Sequence, residues 1–252
     1  MKTYICIVAR LSSSRLPKKA LMKLVGDLTI LEVLIKRLQT TFENKQIILA
    51  TTNLKEDDKL IEIAISQNIG FFRGPEENVL DRIIFSCAQF KDCSNIVRVT
   101  GDNPLTDPTI LKKMIFEHNK NQCDYTFTES IPVGTRPEII SLKFLKFLSK
   151  NIKNKNNTEY LTFYLKKDLG QIKNLFEINY EQINSNETLT VDTFEDLEFL
   201  KSIFEELNSN YLVSLKDIIK IINFKKMIKN SSNIKPKILD SEIFTLKNKI
   251  YE

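Results

Sequence analysis

Three short apolar runs, at residues 3–9 (TYICIVA), 46–52 (QIILATT) and 95–100 (NIVRVT), are rich in β-branched residues. Near-continuous apolar runs of this length read as strands buried on both faces. Between them, Leu31, Leu34, Ile35 and Leu38 recur at helical intervals. Leu60, Ile61, Ala64 and Ile65 do the same within a predicted helix over 57–67. Residues 68–70 stop that helix, 70–73 form a further short strand and 78–90 a further helix. This alternation predicts an α/β fold, a mostly parallel sheet flanked by helices. Ligands in such sheets bind at the carboxyl ends of the strands. That rule brings two loops, 10–19 and 101–107, into one crevice.

The second half is less regular. Residues 124–128 and 138–141 read as strands flanking a turn at 132–136. A helix over 142–149, a Lys/Asn linker over 151–157 and a helical stretch over 158–166 follow. A short strand at 188–191 leads into a helix over 193–207. The expected organisation is a body at 1–224 and a C-terminal segment at 225–252. Lys and Asn make 225–237 a linker, and 238–250 carries enough apolar residues to dock back or to bind a partner chain.

Composition narrows the function. The 252 residues are 42% hydrophobic and 27% charged, an ordinary globular balance. No run approaches the ~20 apolar residues of a membrane span. The start lacks the apolar core and cleavage site of a signal peptide. The four cysteines share no CxxC spacing and there is a single histidine, His118. Together these predict reduced cytoplasmic thiols, no Cys/His zinc site and no Ser-His-Asp triad. His118 is expected on a helix surface. The net charge of +5 is spread along the chain, without the basic stripe of a nucleic-acid protein. Only seven arginines occur in this lysine-rich chain. Arginine's planar fork binds phosphate or carboxylate bidentately, so its retention points to geometric need.

Four segments hold chemistry. Residues 10–19 form a Ser-rich loop between strand and helix, with Arg10, Arg15, Lys18 and Lys19 around it. Backbone N–H groups, hydroxyls and cations there suit a triphosphate, although neither a Walker loop nor GxGxxG is present. At 100–107, Gly101 permits an unusual backbone, Asp102 ends a buried strand and Asp107 is a helix N-cap. Asp102 reads equally as a metal ligand or as an Asx turn. At 190–196, Asp192 ends a predicted strand, and Thr193 with Asp196 matches a capping box. Asp102 and Asp192 together suit one Mg²⁺. At 74–82, Asn78 can cap a helix whose first turns carry Asp81 and Arg82. That segment is either a solvated helix start or a pocket wall.

In this order the segments resemble bacterial cytidylyltransferases of the spore-coat-polysaccharide type, related to the CMP-sugar synthetases for 3-deoxy-manno-octulosonate. Similar proteins carry an ARxxSxRLPxKxL loop, here from Ala9 to Leu21, an ATT strand end at Ala50-Thr51-Thr52, a G-x-E-x-x-VLDR segment from Gly74 to Arg82, an R-x-TGDxPLxDP segment from Arg98 to Pro108, and a TVDTxEDL segment from Thr190 to Leu197. The likeness covers about residues 1–205. It implies the nucleotide-diphospho-sugar transferase (Rossmann-like) fold and an Mg²⁺-dependent transfer of CMP from CTP. It implies that Arg10, Ser12, Ser13, Arg15 and Lys19 cradle the triphosphate, that Asp102 and Asp192 hold Mg²⁺, and that backbone near Ala9 and Thr51 takes the base. Arg73, Asp81, Arg82 and Gly101 would lie beside the nucleotide. Of these, Arg15, Lys19, Asp102 and Asp192 would carry the catalysis.

Two departures fall where the acceptor is selected. The family's G-x-D-x-E reads Gly134-Thr-Arg136-Pro-Glu138 here, and Tyr160 follows Glu159 where a histidine is usual. Arg136, Glu138 and Glu159 are therefore expected to bind a small anionic acceptor: a sugar, sugar phosphate, polyol phosphate or phosphonate. The likeness also implies a homodimer, and composition predicts a cytoplasmic protein without nucleic-acid or membrane partners. The alternatives are another nucleoside triphosphate as donor, a non-catalytic nucleotide-binding module, or a glycosyltransferase. The last usually shows a DxD triplet, which is absent.

Overall fold

A computed structural model describes residues 1–178, 188–225, 227, 245–247 and 250–251. Its elements are β1 (Lys2–Val8), β2 (Lys23–Val25), β3 (Leu28–Thr29), α1 (Ile30–Gln39), β4 (Ile47–Thr52), α2 (Asp58–Ser66), β5 (Gly70–Gly74), α3 (Val79–Ala88), β6 (Cys93–Thr100), α4 (Pro108–Lys120), β7 (Tyr125–Phe127), β8 (Glu138–Ser141), α5 (Leu142–Asn151), α6 (Leu161–Lys166), β9 (Lys173–Leu175), α7 (Phe194–Glu206) and α8 (Leu215–Phe224).

The seven-stranded sheet has the order β5-β4-β1-β6-β8-β7-β9. β5, β4, β1 and β6 run parallel, β8 is antiparallel to both β6 and β7, and β9 is parallel to β7. Only β8 therefore points against the rest. From β1 the chain crosses to β4 on one side and later to β6 on the other. That reversal opens the crevice at their carboxyl ends.

The strands are apolar throughout because both faces are covered. Ile5 and Ile7 of β1, Ile47 and Leu49 of β4, and Val97 and Val99 of β6 pack with α1, α2, α4, α7 and α8. Their alternates Tyr4, Cys6, Ile48, Ala50 and Ile96 pack with α3, α5 and α6. Local signals set the helix starts. Thr29 and Glu32 form a capping box on α1, Asn78 caps α3, Asp107 precedes Pro108 at the head of α4, and Thr193 and Asp196 box α7.

Several expectations need correction. Residues 188–191 are not a strand. Thr188 makes one isolated bridge to Val133, and the chain then runs irregularly to α7. Pairing is lost because this segment is gripped by loops rather than by a sheet edge. The expected linker at 151–157 runs into a 3₁₀ turn, Lys155–Tyr160, pinned where Lys155 reaches Asp81 and Ser149. His118 lies on α4 but faces inward. Its Nδ1 meets Thr126 Oγ1 at 2.9 Å, and burial pushes its pKa down to about 4. The β2–β3 hairpin, β9 and α8 were not expected from the sequence.

All four cysteines are free and buried. Most of 225–237 and of 238–250 lies outside the described residues. What is described at the end docks back: Leu246 bridges Ile152, and Tyr251 packs edge-on against Phe144 and Phe147. Among the described residues, no helix is long and apolar enough to cross a membrane.

Candidate active site

A cavity of about 650 Å³ opens at the carboxyl ends of β1 and β6. The loop after β1 supplies Ala9, Arg10, Ser13, Ser14, Arg15 and Lys19, and the loop after β6 supplies Gly101 and Asp102. Val79 and Arg82 of α3, Arg98 and Thr100 of β6, and Glu159 and Tyr160 complete the wall. Five of these residues are basic and two are acidic. That excess suits a polyanion.

The phosphate-type loop is held by its own backbone. Lys18 N–H donates to Leu11 O at 3.0 Å, and Lys18 turns the chain with φ 59° into the buried Lys19. Asp57 fixes the loop's root. It accepts Leu11 N–H at 2.8 Å and bonds the hydroxyls of Thr51 and Thr52 at the end of β4. Gly101 answers from the other side. A Cβ there would lie 2.7 Å from Ala9 Cβ, so the two loops approach as closely as they do only with glycine.

Lys19 joins the predicted carboxylates. Its Nζ lies 2.5 Å from Asp102 Oδ2, 2.8 Å from Asp192 Oδ1 and 2.8 Å from Val191 O. Arg15 Nη2 also reaches Asp192 Oδ1 at 2.9 Å. Burial alone would lower the Lys19 pKa, but the two aspartates outweigh it and raise it. Burial would likewise raise Asp102, yet the Lys19 charge and hydrogen bond hold it below the ordinary carboxylate range. Asp102 and Asp192 thus share one cation. Two carboxylates on one small volume fit Mg²⁺, which takes one or two carboxylates and fills its shell with water and phosphate oxygens. No cluster of three or more Asp, Glu, His or Cys exists among the described residues, so the protein offers just this sparse donor set.

Arg10 spans the mouth. It pairs with Glu159 at 2.8 Å and more loosely with Glu76 at 3.4 Å, while Ser12 Oγ donates to Glu76 at 2.5 Å. Arg82 is buried and donates to the carbonyls of Pro75 and Glu76.

Other predicted residues sit elsewhere. Arg73 is taken up by Asp58 and by the carbonyls of Thr52 and Leu54. Asp81 is bonded by Asn78, Ser149 and Lys155, and Thr51 is fully buried against Asp57. None of these three lines the cavity, and neither Ser12 nor Asp192 is in its lining. Glu138 lies behind the wall, between Arg98 at 2.5 Å and Tyr125 Oη at 2.6 Å. Arg136 is the clearest correction. Its guanidinium closes its own turn, donating to Ile131 O and Glu129 O. Of the three residues expected to meet the acceptor, only Glu159 faces the cavity. Arg98 and Asp57 have site or scaffold roles that the sequence did not assign. Arginine scarcity flagged Arg98, and nothing flagged Asp57.

Comparison with known proteins agrees with this architecture. Spore coat polysaccharide biosynthesis protein SpsF of Bacillus subtilis is 33% identical over 86% of this chain and 92% of its own length. An uncharacterized protein of Methanocaldococcus jannaschii is 35% identical over 94% of this chain and 97% of its own. A cytidylyltransferase from Leptospira borgpetersenii superposes with a TM-score of 0.83 at 30% identity, covering 93% of this chain and all of that one. A CMP:2-keto-3-deoxy-manno-octonic acid synthetase shares the fold, with a TM-score of 0.63 at 15% identity over 82% of this chain and all of that one. The cytidylyltransferase family profile matches residues 4–218, so the chain belongs to the cytidylyltransferases, a family of nucleotidyltransferase enzymes.

Proposed function

We propose that this chain is an Mg²⁺-dependent enzyme that transfers CMP from CTP to a small anionic acceptor, releasing pyrophosphate. The carrying observation is the Asp102–Lys19–Asp192 bridge: Asp102 and Lys19 line the cavity beside Arg10 and Arg15, and Asp192, outside the lining, is bonded to Lys19 and Arg15. The acceptor oxygen attacks the α-phosphorus, and the bond to the bridging oxygen of the β-phosphate breaks. Arg10, Arg15 and Lys19 bind the triphosphate and offset the charge that collects on the leaving pyrophosphate. With the Lys19 ammonium turned from the two aspartates to the triphosphate, Asp102 and Asp192 would hold Mg²⁺, which supplies neutralisation of α-phosphate charge when bound. Positioning dominates such a reaction. An acceptor oxygen that is already anionic needs no general base, and His118 sits outside the cavity lining.

SpsF is named for spore coat polysaccharide biosynthesis, and another relative, 27% identical over 62% of this chain, is a 3-deoxy-manno-octulosonate cytidylyltransferase. Those names support an acceptor that is a sugar or a sugar-like phosphate, in the synthesis of a surface glycan precursor. Glu159, a carboxylate in the cavity wall, would accept hydrogen bonds from acceptor hydroxyls rather than meet the anionic group. A cytoplasmic homodimer, with a nucleotidyltransferase body at 1–224 and a tail at 225–252, completes the proposal; light scattering tests the dimer.

The experiment is pyrophosphate release from CTP with a panel of sugar, sugar phosphate, polyol phosphate and phosphonate acceptors. One acceptor should support turnover with Mg²⁺. Asp102→Asn should reduce it by orders of magnitude while the protein stays folded, and Arg15→Ala should chiefly weaken triphosphate binding. Near wild-type turnover in Asp102→Asn would overturn the metal assignment.

A further inference from the structure

Asp192 does not sit on a strand, so something else must set its distance from Asp102. The segment that leads to it is gripped on two sides. On one side Val191 N–H donates to Asp102 O at 3.0 Å and Val191 O accepts Lys19 Nζ. On the other lies the turn at 131–136. Leu189 N–H donates to Val133 O at 2.7 Å, and Thr188 bridges Val133 in parallel.

At the centre of that turn, Gly134 adopts φ 91°, a conformation L side chains rarely take. Its α-carbon lies directly against the backbone of Leu189 and Thr190. A Cβ there would overlap Thr190 N and come within 2.7 Å of Thr190 Cα. Backbone cannot rotate out of the way as a side-chain tip can. Three further bonds keep the turn rigid. Thr135 Oγ1 donates to Pro132 O at 2.7 Å, Arg136 Nε to Ile131 O at 2.5 Å and Arg136 Nη2 to Glu129 O at 3.1 Å.

We propose that Gly134 and Arg136 are positioning residues that set Asp192 against Asp102, so that the turn at 131–136 tunes divalent-cation affinity from outside the cavity. The inference rests on the reading of Asp102 and Asp192 as the metal carboxylates. Gly134 works by lacking a side chain. Arg136, which replaces the family's usual carboxylate, works by clamping two carbonyls with one planar fork. Residues that orient metal ligands typically change metal affinity by about 10- to 100-fold when replaced.

The test measures Mn²⁺ affinity directly, by loss of the free-ion paramagnetic resonance signal, without nucleotide or turnover. Wild type, Gly134→Ala, Arg136→Gln, Arg136→Lys and Asp192→Asn are compared, each checked for cooperative unfolding. Gly134→Ala should weaken Mn²⁺ binding by about tenfold or more. Arg136→Gln should weaken it less, and Arg136→Lys, which can still reach one carbonyl, should recover part of the loss. If Gly134→Ala does not fold, the Arg136 pair decides. Wild-type Mn²⁺ affinity in Gly134→Ala and Arg136→Gln, with affinity lost in Asp192→Asn, would overturn this inference and leave the proposed function standing. Wild-type affinity in Asp192→Asn would overturn the metal reading itself.

Discussion

Replacing Lys19 with Met should produce a protein whose stability depends on Mg²⁺. The lysine is buried, and its ammonium donates to Asp102, Asp192 and Val191 O. Methionine keeps the apolar stem and removes all three bonds. Two carboxylates are then left facing each other. Removing one partner of a buried pair costs about 3–5 kcal/mol. Asp192 keeps Arg15 at 2.9 Å, which places this case near about 3 kcal/mol. For a chain of this size that corresponds to roughly 6–12 °C in Tm. Asp102 loses what holds its pKa down, so the penalty should be largest near neutral pH and shrink in acid as a carboxylate protonates. A cation that replaces the ammonium should restore much of it. At about 100 times its Kd, Mg²⁺ adds roughly 2.7 kcal/mol. Differential scanning fluorimetry at two pH values, with and without Mg²⁺, reads all of this. A Lys19→Met protein that melts like wild type at pH 7.5 and ignores Mg²⁺ would refute the shared-cation argument.

Three further outcomes follow from the same geometry. Glu159→Gln should tighten CTP binding roughly two- to fivefold, because the half-exposed Arg10–Glu159 pair is worth up to ~1 kcal/mol and competes with the triphosphate. Calorimetry should show that gain vanish in an Arg10→Ala background, and its persistence there would mean Glu159 acts without Arg10. Stability should fall as pH drops from about 6.5 to about 4, because the unfolded chain protonates His118 before the fold can. The loss is about 3 kcal/mol at most, and His118→Asn should remove that part of the slope in urea titrations. Gly101→Ala should lower kcat/KM for CTP at least about tenfold by wedging the two cavity loops apart, and should lower Tm by several degrees as the site is overpacked. Unchanged kinetics would show that the loops can separate freely.

The parallel half of the fold was legible because its strands are buried on both faces and so carry unbroken apolar runs. The caps at Asn78, Asp107 and Thr193 were legible for a similar reason: each depends on a side chain reaching backbone two or three residues away. What escaped depends on distant partners. Residues 188–191 look like a strand, but the Gly134 turn and Asp102 backbone take the bonds a strand would use. Arg136 looked like an acceptor contact because its charge was visible and the carbonyls it clamps were not. Arginine scarcity was a sound signal with two kinds of cause. Arg10, Arg15, Arg82 and Arg98 line the cavity, whereas Arg37 is buried and joins α1 to the carbonyls of Tyr211 and Val213 before α8. Sequence shows that a planar fork is needed, not whether its acceptors belong to a ligand or to the fold.

The central claim is that the cavity holds CTP together with a divalent cation on Asp102 and Asp192. Thermal stabilisation by CTP, UTP, GTP and ATP, each with and without Mg²⁺, in wild type and Asp102→Asn, tests it most directly. The account predicts a rise that is selective for CTP, larger with Mg²⁺, and stripped of its Mg²⁺ increment in Asp102→Asn. No rise with any nucleotide, or an Mg²⁺ increment that survives Asp102→Asn, would contradict it.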